Sequence, residues 1–210
     1  MKLFLFCLAA GVLPAAGENR GATSAPITLY THFDHEPPVA VLDALQAETE
    51  NIMAPAGMHF EWRNLDEARG SEVSTELAVV TVRGRCDTET LMNRVKAEGA
   101  LGLTHVSDGH ILPFTEVNCD RVRNFVQSEL IATSVDDRNA VFGRALGRVL
   151  AHELYHVFAN TTRHGSGVAK ESYTVHDLTC EDFQFQQRES QMLHATRTRP
   201  TLDDAGGVSR

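Results

Sequence analysis

Lysine is scarce in this 210-residue chain: only three of its 19 basic residues are lysine, the rest arginine. Against 28 acidic residues they leave a formal charge of −9. The cations are also scattered, so no basic face is available to neutralise a phosphate backbone, and nucleic-acid binding is excluded as a main role. Beyond residues 3–13 the chain has no long apolar run, which leaves nothing that spans a bilayer. It has no internal repeat and no low-complexity segment, which excludes solenoids and fibrous arrays. Cysteines stand at 7, 86, 119 and 180, too far apart for zinc-finger spacing. What is present is an ordinary folding mixture, 42% hydrophobic and 22% charged, with ten histidines. That many histidines directs attention to metal chemistry.

The first residues read as an export signal. Met1-Lys2 supplies a positive start and residues 3–13 an apolar stretch. Pro14-Ala15-Ala16-Gly17 then places small side chains where a signal peptidase cuts. Eleven apolar residues span about half a bilayer, so cleavage is expected rather than anchoring. The mature chain is expected to begin near Glu18 and to be secreted or periplasmic. It would carry one domain over residues 18–198 and a frayed tail over 199–210. An oxidising compartment permits one disulfide among Cys86, Cys119 and Cys180.

Hydrophobic patterning supplies the elements. Residues 26–33 read as a first strand, and Pro37-Pro38 opens an amphipathic helix that Pro55-Ala56-Gly57 stops. Residues 58–62 alternate as a second strand, and residues 77–82 are apolar on both faces, which suits the middle of a sheet. A short helix is expected at 88–98. Strands at 100–106 and 110–117 flank Asp108-Gly109, a favoured hairpin turn. Asp136 or Asp137 is expected to cap a long helix reaching Asn160, in which Gly143 and Gly147 permit close approach of a neighbour. A second amphipathic helix is expected from about 179 to 195.

Within the long helix lies His152-Glu153-Leu154-Tyr155-His156. Histidines at i and i+4 share a helix face, so two imidazoles can reach one Zn²⁺ at about 2.0–2.1 Å, and Glu153 is placed to move a proton of a water there. Catalytic zinc sites use three protein ligands. Asn160 can adopt the left-handed turn that ends the helix, and His164 follows within a Gly-rich loop, which makes it the expected third ligand. Glu171 and Glu181 compete for that role by distance alone.

The segment HELYHVFANTTRHG resembles the metzincin metallopeptidase signature HExxHxxGxxH, with the last histidine two residues late. It is similar to small exported bacterial proteins of metzincin type. ALGLTHVSDGHILPFTEV is similar to the edge-strand region of matrix-metalloproteinase catalytic domains. The resemblance implies an α/β (α+β) zincin: a five-stranded mixed sheet, an active-site helix and a small helical C-terminal subdomain. It also implies a zinc endopeptidase that binds a peptide or protein substrate beside the 100–106 edge strand. Tyr173 then becomes a possible oxyanion stabiliser, or else a core tyrosine, and His105 and His110 flank a region that holds a structural metal in such enzymes but read here as surface residues. In the resembling fold the third and fifth strands are parallel neighbours, which implies a Cys86–Cys119 disulfide; Cys119–Cys180 is the competing pair. The chain departs from the family in having Ala159 at the glycine position and Val168-Ala169-Lys170 where a methionine turn is usual. A non-catalytic zinc-binding protein of the same fold is the alternative reading.

Overall fold

The structure, a computed structural model, describes residues 25–89, 91 and 98–197. The expected signal segment, the tail and most of the helix expected at 88–98 lie outside the described residues. Strands β1 (Ile27–Phe33), β2 (Phe60–Asn64), β3 (Leu77–Arg83), β4 (Gly102–Ser107) and β5 (His110–Asn118) form a mixed sheet in the order β2-β1-β3-β5-β4. All neighbours run parallel except β4, which pairs antiparallel with β5 through the Asp108-Gly109 turn and forms one edge. The central position of β3 matches its hydrophobic sequence. Ala78, Val80 and Val82 all point into the core and are almost fully buried.

Helix α1 (Val39–Met53) and the long helix α4 (Arg138–Phe158) pack on each other, and α4 also contacts β5 and β4. Gly143 and Gly147 are the reason the two helices lie so close. A Cβ on Gly143 would fall 2.4 Å from the Val41 carbonyl oxygen, and one on Gly147 would fall 2.7 Å from that of Leu45. Thr49 crosses the same seam, with its hydroxyl donating to Leu45 O at 2.8 Å.

Three expectations need correction. The second strand begins at Phe60, not 58, because Met58 is spent in the core: Gly57 turns left-handed (φ 77°) and Met58 N donates back to Met53 O. Asp137 stands at the N-cap of α4 without capping it; its carboxylate accepts from Ser134 Oγ at 2.6 Å. The helix expected over 179–195 is two helices, α5 (Val175–Thr179) and α6 (Gln187–Arg197). Arg148, fully buried in α4, causes the break: its guanidinium donates to the carbonyls of Asp177, Cys180 and Glu181, which bends the chain around it.

Two helices were not expected from the sequence, α2 (Cys119–Phe125) and α3 (Gln127–Ala132). The signal for α2 was Asn118, whose side chain accepts from Arg121 N as an N-cap. A disulfide joins Cys86 to Cys119 with Cα atoms 5.1 Å apart, where the parallel strands β3 and β5 end side by side. Cys180 is free.

Candidate metal centre

Helix α4 is buried almost all round in its C-terminal half, and His152, Glu153 and His156 are each less than a tenth exposed. Its end is a Schellman turn. Asn160 takes φ 46°, Asn160 N donates to Val157 O, and Thr161 N donates to His156 O. The turn reverses the chain and aims the Thr161 carbonyl at the helix, where it accepts from His156 Nδ1 at 2.7 Å. The loop beyond His164 folds back in the same way, and Val168 O accepts from His152 Nδ1 at 2.8 Å.

Those two hydrogen bonds fix the tautomers. Each Nδ1 faces a carbonyl oxygen, which can only accept, so each Nδ1 carries the proton and each Nε2 presents a lone pair. The two Nε2 atoms nevertheless lie 3.1 Å apart. Burial is the largest cause pushing both rings below the usual histidine range, His152 to about 4, so neither ring is an imidazolium at neutral pH. Two buried lone pairs facing each other with no proton between them need an electrophile. The spacing suits nitrogens on a single tetrahedral metal, which sit ~3.3 Å apart at zinc distances.

The exposed His164 completes the set. Its ring stacks on that of His152 with centroids 5.3 Å apart and meets the His156 ring edge-on at 5.0 Å. The ligand atoms of His152, His156 and His164 all lie within 4.8 Å of one another. Glu171, one competitor, instead lines the wall of the adjacent cavity. Glu181, the other, sits in the segment wrapped around Arg148.

Glu153, buried like its neighbours, meets strand β4. Thr104 Oγ1 donates to Glu153 Oε2 at 2.6 Å. Gly102 is needed for this approach, since a Cβ there would fall 2.6 Å from Glu153 Oε1. Burial pushes the Glu153 carboxyl up to about 7, and the Thr104 hydrogen bond opposes it. A cavity of about 590 Å³ opens here, between the three histidines and residues 99–104 of the edge strand.

Tyr173 lines that cavity, and its hydroxyl donates to Val168 O at 2.5 Å, the same carbonyl that orients His152. In this arrangement its proton supports a ligand rather than facing the cavity. Where a methionine turn was looked for, Val168 and Ala169 are fully buried, and Met192 instead approaches Tyr155 Oη with its sulfur at 3.7 Å. His105 pairs with Glu116 at 3.2 Å, and His110 is exposed at the hairpin. The support given to the histidines by the Val168 and Thr161 carbonyls was invisible in the sequence, because backbone carbonyls leave no residue-type signature.

Among the described residues, no helix is long and apolar enough to cross a membrane. Comparison with known protein families, curated proteins and solved structures finds no match, so the chemistry of the site rests on its own geometry.

Proposed function

We propose that this chain is an exported zinc-dependent endopeptidase of metzincin type. The observation that carries the reading is the pair of converging, unprotonated Nε2 atoms with His164 beside them and a buried carboxylate at the next position. Three imidazoles form a borderline donor set that suits zinc, and both buried rings already have the carbonyl partners that metal-bound histidines require. Zinc held by His152, His156 and His164 would supply Lewis acidity toward a substrate carbonyl and lower the pKa of a water toward ~7.

The residues of the chain do the remainder. Glu153, raised to about 7 by burial, is poised to take a proton from water and return it to the leaving amine. Thr104 holds that carboxylate in place from the edge strand. Among the described residues strand β4 has a neighbour, β5, on one side only, and the cavity runs along residues 99–104, so an extended peptide can add beside it with its scissile bond near the histidines. The disulfide agrees with an oxidising compartment. A binding protein without turnover needs no buried carboxylate at position 153.

The test is cleavage of a denatured protein by the purified mature chain, with and without chelator. Chelation should abolish activity and zinc restore it. Glu153→Gln should retain zinc and lose about 10²–10⁴-fold in turnover. His152→Ala should lose metal and activity together. Stoichiometric zinc without any chelator-sensitive cleavage would leave the non-catalytic zinc-binding protein as the reading.

A further inference from the structure

The loop that carries His164 consists of Gly165, Ser166 and Gly167, which have almost no side chain with which to hold themselves. Backbone contacts give it some definition. Gly165 N donates to Ala169 O at 2.8 Å, Val168 N donates to Gln184 O at 3.3 Å, and Gly167 bridges to Phe185. One acidic side chain also reaches it, Glu189 from the first turn of α6.

Glu189 is only 3% exposed. Its Oε1 accepts a long hydrogen bond from Ser166 N at 3.4 Å and presses on Gly165 so closely that a Cβ there would fall 2.2 Å from it. Its Oε2 is buried and has no hydrogen-bond partner among the described residues. A desolvated carboxylate held by one long hydrogen bond costs stability rather than supplying it. The anchoring of α6 does not explain it either, since Leu193 is fully buried and Met192 meets Tyr155 without any help from a charge. What the carboxylate does touch is the loop between a third ligand, His164, and Val168, whose carbonyl orients His152.

We propose that Glu189 is a positioning residue of the metal centre: it wedges α6 against Gly165-Ser166 and fixes the loop that presents both His164 and the Val168 carbonyl. The proposal rests on the three-histidine reading of the site. Glycine at 165 is then a requirement of contact, because any larger residue would expel the wedge.

Metal affinity tests it, by competition for Zn²⁺ with a chromophoric chelator on the mature chain. Outer supports of this kind typically contribute 10–100-fold to affinity. Glu189→Ala should lose about that much. Glu189→Gln, which keeps the oxygen acceptor and the shape, should stay within about threefold of the parent. Gly165→Ala should weaken binding by a route that leaves Glu189 in the sequence, and it decides the matter if Glu189→Ala does not fold. The visible spectrum of the Co²⁺-loaded protein should change with Glu189→Ala and not with Glu189→Gln. Parent-like affinity in both Glu189→Ala and Gly165→Ala, beside a large loss in His164→Ala, would overturn the proposal. Equal losses in the Gln and Ala variants would overturn the wedge role. His164→Ala binding metal like the parent would overturn the three-histidine reading, and this proposal with it.

Discussion

Thr104 Oγ1 donates to Glu153 Oε2 at 2.6 Å, and the same hydroxyl lies 3.1 Å from the Glu153 carbonyl oxygen. One threonine on the edge strand therefore meets both the side chain and the backbone of the residue that follows His152. Strand and helix are registered against each other at the site itself. A displacement of β4 would move the proposed substrate-binding edge and the Glu153 carboxylate together. This coupling also takes Glu153 out of water, which has a measurable consequence in the metal-free protein.

Metal-free Glu153→Gln should be more stable than the metal-free parent at high pH and equal to it at low pH. Burial raises the folded-state pKa of Glu153 from 4.5 to about 7. Below pH ~4.5 both folded and unfolded states hold the proton, and the carboxyl adds no penalty. As pH rises toward 7 the unfolded chain releases the proton first, so native stability falls, and above the folded pKa the loss is complete at on the order of 3 kcal/mol. His152 and His156 titrate in both proteins and cancel in the comparison. Denaturant unfolding with chelator at pH 4.5 and pH 8 checks it; an equal gap at both would refute the burial argument.

The sheet and the cluster of three histidines were legible in the sequence because both are written in residue types. The two-faced apolar run at 77–82, the Asp108-Gly109 turn and the spacing of His152 and His156 are local patterns with few structural solutions. Asn160 announced the left-handed turn that brings His164 back. The break at 180–186 was not legible, since it depends on carbonyls bending toward Arg148, some thirty residues earlier. The α2 and α3 helices were missed because both are short and α2 follows β5 without a loop of turn residues. The pairing of Cys86 with Cys119 needed the strand order, which came from a family resemblance and not from spacing.

Gly143→Ala and Gly147→Ala should each destabilise the fold, Gly143→Ala the more. In an exposed helix, alanine is better than glycine by about 1 kcal/mol. Here the added methyl meets backbone of α1, at 2.4 Å from Val41 O for Gly143 and 2.7 Å from Leu45 O for Gly147. Overpacking of that kind costs about 1–3 kcal/mol, which outweighs the propensity gain. A rise in thermal midpoint for either variant would show that α1 yields freely.

Reduction of the Cys86–Cys119 bond should cost about 3–4 kcal/mol on the chain-entropy model, given a sequence separation of 33. The enclosed segment includes β4, so the loss falls on that edge of the sheet first. A Cys180→Ser background prevents thiol exchange during the measurement. Peptide mapping without reduction should link the fragments holding Cys86 and Cys119, and a Cys119–Cys180 link would contradict the structure.

Arg148→Met should destabilise the fold by about 3–5 kcal/mol, the cost of breaking a buried ion pair on one side only. Arg148 is fully buried, and its Nε donates to Glu48 Oε1 at 2.6 Å, which ties α4 to α1. The remaining guanidinium donors serve Asp177 O and Cys180 O, both at 2.8 Å, and Glu181 O at 3.2 Å. Methionine fills much of the volume and satisfies none of these acceptors. The segment around Cys180 would lose its anchor, so its free thiol should react faster with a disulfide reagent than in the parent. Glu48→Met in the same chain removes the stranded carboxylate, and the double variant should recover part of the loss. The carbonyls of 177, 180 and 181 would still lack their donor, so fast thiol labelling should persist in the double variant. Labelling that returns to the parental rate would mean that the ion pair, and not the carbonyl clamp, holds the segment in place.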